Sequence, residues 1–363
     1  MSSPTRGQEG ESPIEALSRG ARDREDRLSP VRQASAAWIA VAGLLIAVAS
    51  LWALRTTGTI SSDLDAFAAW CGTTLPGLPV FLQGYFDAAA RTFLLNPVFY
   101  VALATIFALE RLIPAKPGQR IFSVGLAQDF LWFGLDGAMR LALIPVYAAL
   151  LQAVYSSYLS WLTLDIVATW PAPAPLIASF LLIDFLAWAH HFVRHKVSVF
   201  WYFHTIHHSQ REMNLFTDLR VHVAERIISL TLTFIPLSML QIGMPTDLYV
   251  AVALNWYTRA YHANLRTNYG FLKHVLVTPQ SHRIHHSIEP RHQDKNFGVI
   301  FTFWDRLFGT LYAHYDEYPE TGIADGRFPL EQQAGARGIF RSLAAQFCYP
   351  FRLLLGRRST GTA

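Results

Sequence analysis

Long uncharged apolar stretches alternate with short charged segments through the first half of the chain. Four of them approach or exceed the roughly 20 apolar residues that a helix needs to cross a bilayer core: 36–54, 93–109, 141–164 and 166–183. Prolines and Trp170 interrupt the start of the last stretch, so we expect its helix to begin near Pro175. The pattern predicts an all-α protein, a polytopic membrane helical bundle with about four spans.

Two further apolar stretches, 227–246 and 248–258, are separated only by Asp247. Pro236 and a Gly-Met-Pro break at 243–245 make neither stretch a regular single span. We expect residues 227–258 to form a re-entrant hairpin that leaves the membrane by the face it entered.

The apolar segment 121–140 differs because it carries Asp129, Asp136 and Arg140. Charges in an apolar setting usually face protein or a watery cavity. Asp136 and Arg140 are four residues apart, a spacing that places them on one helix face and predicts an ion pair within this helix where it packs against another.

Charged residues outside these stretches indicate the orientation and the domain limits. The first 35 residues are polar and arginine-rich, which predicts a disordered segment at the cytoplasmic face. We expect transmembrane helices over 36–183, a histidine-rich helical region capping them at 184–320, and a basic cytoplasmic C-terminal tail at 321–363. This topology places both termini and the histidines on the cytoplasmic side of a bacterial-type inner membrane.

Composition supports a membrane protein and excludes several classes of function. Hydrophobic residues make up 52% of the chain and charged residues 15%, against roughly 25% charged in soluble domains. The net charge of +4 is not concentrated in a basic face with interleaved aromatic residues, so we predict no nucleic-acid partner. Two cysteines are too few for an iron–sulfur cluster or a disulfide framework.

Eight of the 14 histidines fall in three tight groups, which indicate a metal site. The spacing H-x3-H places two imidazoles on one helix face, and H-x-x-H-H offers i,i+3 and i,i+4 pairs together. Eight imidazoles exceed what one tetrahedral ion uses and suit two metals; iron, zinc, copper and nickel are all compatible with imidazole. The groups are His191 and His195; His204, His207 and His208; and His282, His285 and His286.

A metal transporter or a structural zinc protein is the alternative class of function. Transport ligands usually lie inside the spans, whereas these groups follow an apolar stretch and lie among Arg and Lys, which favours a site at the membrane surface. His190 adjoins the first group but points about 100° away from His191 on a helix, so we do not count it as a ligand.

The order and surroundings of the three groups resemble the fatty acid hydroxylase/sterol desaturase superfamily of integral-membrane oxygenases. The similarity covers about residues 95–312. It extends to "DFLAWAHHFVRH" from Asp184, to the R-x-H-x-x-E stretch from Arg220 to Glu225, to the H-x-N of His262 and Asn264, and to "KNFGVIFTFWDRLFGTLY" at 295–312.

The resemblance implies two iron ions that activate O2 against a lipid C–H bond, with zinc as the alternative occupant of the isolated protein. His262 would be a ninth ligand. Another branch of the superfamily has a further histidine where this chain has Thr258, so His222 becomes a candidate tenth ligand. Asp184, two helical turns before His191, is a candidate for holding a ligand ring by a hydrogen bond. Termination of a helix at the bilayer edge is the alternative role for Asp184. We expect no catalytic residue separate from the ligands.

Electrons for such a reaction must come from outside the chain. The sequence has no His-Pro-Gly-Gly cytochrome b5 signature, no cysteine cluster and no dinucleotide-binding glycine motif. We therefore expect an external ferredoxin or cytochrome as the donor. The basic segments 337–341 and 352–358 could dock an acidic donor or bind anionic lipid headgroups, and we favour the lipid. The residues leave open which lipid is oxidised, and whether by hydroxylation, desaturation or ether cleavage.

Overall fold

A computed structural model describes residues 97–356, except 121, 165–169, 172–173, 242–255 and 332–334. This part of the chain is all-helical and contains no β-strand, only isolated β-bridges, which confirms the predicted fold class in its secondary structure. The α-helices are α1 (Pro97–Leu112), α2 (Val124–Ala142), α3 (Ile144–Val154), α4 (Ala174–Lys196), α5 (Ser198–His208), α6 (Val223–Met239), α7 (Pro279–His285), α8 (Phe303–Leu307) and α9 (Ala336–Leu354). Residues 256–262 are also helical, and short 3-10 helices occupy Thr217–Leu219, Gly270–His274 and Pro290–His292.

One helix in the described part is long and apolar enough to cross a membrane. It is the segment Ile177–Lys196 of α4. A second candidate is the bent pair Val124–Met139 and Ile144–Leu162, whose axes differ by 43°. The predicted span 36–54 and the N-terminal 35 residues lie outside the described residues, and so does most of the second arm of the predicted hairpin. Its first arm corresponds to α6. The number of spans therefore stays a prediction.

Helices α4 and α5 form the centre of the fold, joined by Val197 in an extended conformation. Helix α6 packs against both of them. A single extended residue between two helices turns the chain sharply, so the histidines near the end of α4 come to face those near the end of α5.

The C-terminal segment is not a free tail over its whole length. Helix α9 packs on α5 and α2, and its Tyr349 joins a buried core with Trp132 and Ile206. Trp132 Nε1 donates a 3.0 Å hydrogen bond to Oε1 of the fully buried Gln346. The apolar face of α9 therefore closes the core beneath α5, while Arg337, Arg341 and Arg352 remain exposed.

A buried arginine holds α2 against the loop that follows α5. Arg220 Nε donates to Asp129 at 2.6 Å, and its Nη1 reaches Glu331 at 2.5 Å. Asp136 is paired with Arg226 of α6 at 2.9 Å, whereas the side chain of the predicted partner Arg140 lies outside the described residues. The two acids of α2 thus connect to residues about 90 positions away in sequence.

Candidate metal centre

Four helical elements bring nine histidines together in the buried centre of the fold. The last two turns of α4 supply two, α5 supplies three, the helix at 256–262 supplies one, and α7 with its C-cap residue supplies three. Helix α7 is short, but a capping box between Thr278 and Ser281 satisfies its first amide groups and fixes its start. Eight of the nine are almost completely buried, and His195 is slightly more exposed.

The nine imidazoles divide into two groups, and within each group the ligand nitrogens all lie within 4.8 Å of one another. Group one contains His191, His195, His204, His208 and His285. Group two contains His207, His262, His282 and His286. The groups adjoin, because the rings of His208 and His286 stack with centroids 4.3 Å apart.

Each H-x-x-H-H sequence serves both groups. In α5, His204 and His208 belong to group one and His207 to group two. In α7 the assignment is reversed, since His285 belongs to group one and its neighbours His282 and His286 to group two. The i,i+4 pair of each helix therefore faces one group, while the remaining ring faces the other.

Distances between ring nitrogens match those of ligands around a metal ion. Metal–imidazole bonds of about 2.0–2.1 Å place neighbouring nitrogens about 2.8–3.4 Å apart, from octahedral to tetrahedral angles. In group one, Nε2 of His208 lies 3.2 Å from Nε2 of both His195 and His204. In group two, Nε2 of His262 lies 3.1 Å from that of His207 and 2.8 Å from that of His282.

Backbone carbonyls orient three of the rings from behind. Nδ1 of His191 lies 3.0 Å from the carbonyl oxygen of Phe297, and Nδ1 of His285 lies 2.8 Å from that of Lys295. Nδ1 of His262 lies 2.7 Å from the carbonyl oxygen of Thr258. A carbonyl can only accept, so each Nδ1 carries the proton and each Nε2 presents a lone pair to the centre.

Two of the Nε2 atoms that face the centre show whether a metal ion would fit there, because they have no other partner. Nε2 of His191 and Nε2 of His285 are buried and have no hydrogen-bond partner in the protein. A buried polar atom without a partner costs free energy, and coordination would satisfy both atoms. Nine nitrogen donors with no thiolate suit iron, zinc, copper or nickel rather than magnesium or calcium.

Carboxylates stand behind the rings of His204, His195 and His262. Oε1 of Glu225 lies 3.1 Å from Nδ1 of His204 and 2.9 Å from Arg194. Burial alone would raise the pKa of the Glu225 carboxyl, but Arg194 and the His204 ring hold it well below its ordinary value. Oδ1 of Asp294 lies 3.7 Å from Nδ1 of His195, and Oδ1 of Asp218 lies 3.8 Å from Nδ1 of His262. Negative charge in these positions would partly compensate a metal cation held by neutral imidazoles.

Burial keeps the imidazoles in the form that binds metal. It lowers the pKa of His285 to about 3 and lowers the pKa of His207, His282 and His286 well below the ordinary range. Neighbouring rings add to this effect, because a second positive charge in the cluster is unfavourable. The rings are therefore neutral at pH 7, as metal coordination requires.

The segment 295–312, which we call the clasp, supplies two of the orienting carbonyls and is itself fixed by two buried aspartates. Asp305 accepts from the amides of Phe297 and Gly298, both at 2.8 Å. Asp184 of α4 accepts from the amide of Ile300 at 2.8 Å and from Trp304 Nε1 at 2.9 Å. Asp184 therefore holds the clasp by hydrogen bonds, rather than a ligand ring as its position before His191 had suggested.

Gly298 lies at the tightest point of the clasp. A Cβ atom there would lie 2.8 Å from the carbonyl oxygen of Phe301 and 2.9 Å from Oδ2 of Asp305. Any side chain would push the clasp away from the aspartate that holds it.

His222 is not brought into either group. Its Nδ1 accepts from the amide of Ala224 at 3.1 Å and caps the N-terminus of α6. Its ring packs against Phe203 and Phe347, with centroids 5.0 and 4.6 Å away. His190 also lies outside both groups. The only E-x-x-H spacing in the sequence, Glu289 to His292, is likewise separate, and His292 bonds Ser287.

Comparison with known proteins relates the centre to a family. Residues 176–310, which contain all nine histidines and most of the clasp, match the family model for fatty acid hydroxylase. Over this region the chain is similar to the fatty acid hydroxylase/sterol desaturase superfamily. The resemblance seen in the histidine groups is thereby confirmed.

Three curated proteins that match this chain are named alkylglycerol monooxygenase. The chain is 32% identical to the human protein over 151 residues, which is 41% of this chain and 33% of the relative. It is 35% identical to the Danio rerio protein over 132 residues, or 36% and 28% of the two chains. The Caenorhabditis elegans protein is 31% identical over 180 residues, or 48% and 34%. The chain thus spans about a third of the length of these relatives, and no solved structure matches it.

Proposed function

We propose that this protein is an O2-dependent lipid monooxygenase in which each of the two histidine groups binds one iron ion. The observation that carries the proposal is the pair of adjoining groups of buried imidazoles, each with its nitrogens within 4.8 Å of one another. The resemblance to the hydroxylase/desaturase superfamily supports iron, and the name alkylglycerol monooxygenase supports a monooxygenase reaction on a lipid. When bound, the metals would supply the activation of O2, which protein side chains cannot perform.

The substrate that the comparisons favour is a glyceryl ether lipid. Insertion of one oxygen atom at the carbon beside the ether oxygen converts R–CH2–O–R′ into R–CH(OH)–O–R′, with O2, two electrons and two protons giving this product and water. That hemiacetal collapses to an aldehyde and an alcohol, which breaks the ether bond. Hydroxylation or desaturation of a fatty acyl chain, a sterol or a related isoprenoid lipid is the broader alternative that the family allows.

The residues of the chain have defined tasks in this proposal. The nine histidines would hold the metals. His191, His262 and His285, whose rings are oriented by carbonyls, would bind through Nε2, and the other histidines of each group would complete the ligand set. Glu225, Asp218 and Asp294 would balance charge and orient rings. Burial of the whole set keeps water away from the reacting centre.

The proposal includes a place and a partner for the enzyme. Because α4 contains a membrane-length apolar segment that ends at the histidines, we place the centre at the cytoplasmic surface of a bacterial-type inner membrane. Two electrons per turnover would come from an external ferredoxin or cytochrome, since the sequence contains no binding signature for a redox cofactor of its own.

The test uses the full chain purified in lipid nanodiscs. We expect about two bound metal ions per chain, O2 uptake that requires a reductant, and conversion of an alkylglycerol to a fatty aldehyde. His282→Ala should abolish aldehyde formation, because His282 lies within 3.1 Å of both His262 and His286 in group two. His314→Ala is the matched control, since His314 is exposed and outside both groups.

Three outcomes would overturn the proposal or one part of it. Bound metal without O2 uptake for any lipid class would assign the chain to the non-redox class, as a zinc protein or a metal transporter. Unchanged turnover in His282→Ala would remove group two from the reaction. A hydroxylated or desaturated acyl product without aldehyde would keep the oxygenase and replace only the ether substrate.

A further inference from the structure

Two neighbouring loops, 271–275 and the part of the clasp at 307–308, expose an unusual amount of apolar surface. Phe271 is 80% exposed and Leu307 is 69% exposed, and three neighbours add to the same surface. We call this surface the two-loop patch: Phe271, Leu272, Val275, Leu307 and Phe308. Isolated exposed apolar residues need no explanation, but a contiguous set marks a surface that something covers.

The two loops form one surface because hydrogen bonds hold them together. The amide of Thr302 donates to the carbonyl oxygen of Val275 at 2.9 Å, and the Thr302 hydroxyl donates to that of His274 at 3.1 Å. Arg306 Nη2 reaches the same carbonyl at 3.4 Å. The amide of Val277 also donates to the carbonyl oxygen of Ile300 at 2.8 Å. The patch is therefore built on the clasp.

The patch continues onto the helix that has membrane length. The Phe308 ring stacks on Trp188 of α4 with centroids 4.3 Å apart, and Phe308 is 49% exposed. Trp188 lies within the segment Ile177–Lys196. The same helix exposes Ile177 and Leu181 further toward its N-terminus. Apolar surface thus extends from α4 onto both loops.

Cations stand at the edge of the patch. Arg306 is exposed beside Leu307. Lys273 follows Leu272, with its Nζ 4.9 Å over the ring of Tyr315. Aromatic rings and basic side chains at the border of an apolar surface are typical of protein that lies at the headgroup level of a bilayer with anionic lipids.

We propose that the two-loop patch inserts into the headgroup region of a membrane containing anionic phospholipid. The insertion would set the depth of the metal centre, because Trp188 contacts Phe308 and lies less than one helical turn before His191, about 4.5 Å of helix rise. A lipid chain would then reach the histidine groups without leaving the membrane surface. This last consequence rests on the proposed function, whereas the insertion does not require any reaction.

The experiment measures lipid contact directly. The full chain, with Cys71 and Cys348 replaced by Ser, carries a single environment-sensitive fluorophore on Leu307→Cys in nanodiscs of phosphatidylcholine and phosphatidylglycerol. We expect blue-shifted emission and strong quenching by lipids brominated near the headgroup. The matched control is Gly326→Cys, at an exposed position where a Cβ meets nothing. That label should emit as in water and remain unquenched.

A pair of substitutions tests the apolar contact itself. Phe271→Asp should reduce the quenching of the Leu307→Cys label several-fold, whereas Phe271→Leu should leave it unchanged. Lys273→Glu combined with Arg306→Glu should remove the dependence of quenching on the phosphatidylglycerol fraction. These readouts do not involve turnover, so the insertion and the proposed reaction can fail separately.

Equal, water-like emission from both labels would overturn the insertion. So would a blue shift that depends on protein concentration and is insensitive to brominated lipid, since that result would assign the patch to contact with a second copy of the chain.

Discussion

Oε1 of Glu225 lies 3.1 Å from Nδ1 of His204, and both residues are buried. The same oxygen contacts Arg194, so the carboxylate is held while it orients the ring. We predict that Glu225→Gln weakens metal binding about 10- to 100-fold, as loss of such supporting groups typically does. Competition with a chromogenic chelator measures the affinity. Glu320→Gln, the same change at an exposed glutamate, should have no effect; equal affinities in both variants would contradict the assigned role.

His222 gives a prediction of the opposite kind, a loss of stability with metal content unchanged. Its Nδ1 caps α6, and removing an N-cap costs about 0.5–2 kcal/mol. His222→Ala should therefore lower the thermal midpoint while metal analysis still finds the wild-type amount. Asn is a good N-cap residue, so His222→Asn should recover part of the loss. A drop in bound metal for both variants would instead make His222 a ligand.

The same residue predicts a pH effect. Burial lowers the pKa of His222 to about 4, below its value of about 6.5 in the unfolded chain. The unfolded state therefore binds a proton more readily, and the contribution of His222 to stability is complete above pH 6.5 and is lost as the pH falls toward 4. The stability difference between wild type and His222→Asn should shift in favour of Asn between pH 7.5 and pH 5. A pH-independent difference in thermal midpoints would refute this.

Gly298 tests whether the clasp determines the geometry of the metal centre. A Cβ at this position would lie 2.8 Å from the Phe301 carbonyl oxygen, which real Cβ atoms do not tolerate without movement of the backbone. We predict that Gly298→Ala lowers both the thermal midpoint and the metal content, because the carbonyl that orients His191 belongs to the preceding residue. Gly326→Ala introduces the same methyl group into open space and should change neither quantity.

Removal of the metal should destabilise the whole centre. Without it, Nε2 of His191 and of His285 remain buried and unpaired, and unpaired buried polar groups cost about 1–3 kcal/mol each. We expect chelation to lower the thermal midpoint and either iron or zinc to restore it. Only iron should restore O2 uptake. Recovery of turnover with zinc alone would argue against oxygen chemistry.

Side chains with a distinctive spacing were predictable from the sequence, whereas supporting contacts of the backbone were not. The H-x3-H and H-x-x-H-H spacings identify residues that helices must place on shared faces, and the structure brings them together. The carbonyl oxygens of Lys295, Phe297 and Thr258 have no such signature, because every residue carries a carbonyl. Glu225 lay in a quoted motif, but its partner His204 is 21 positions away and only the fold brings them into contact.

The basic residues of the C-terminal segment concealed its packing against the core. Residues 321–363 were predicted to be a basic cytoplasmic tail, yet Ile339, Leu343 and Gln346 recur at helical spacing and face the core. The helical spacing of these residues indicates that α9 packs against the core, whereas the arginines on its opposite face had suggested a free tail. For Asp184 the sequence predicted a hydrogen bond to a ligand ring, whereas the side chain bonds the amide of Ile300 in the clasp. The sequence did not reveal this partner because it lies 116 residues further along the chain.

Helix α5 gives two histidines to group one and one to group two, whereas α7 with its C-cap residue gives one to group one and two to group two. This arrangement has a consequence for how the centre is assembled. Since each of these two helices faces both groups, an ion that enters one group orders the scaffold of the other. Filling should therefore be cooperative, with chains that carry a single ion scarce at every metal concentration. Both full sets of histidines exist only after residue 286 has been synthesised, so under the proposed function the two ions would be completely ligated only once the chain through α7 has formed.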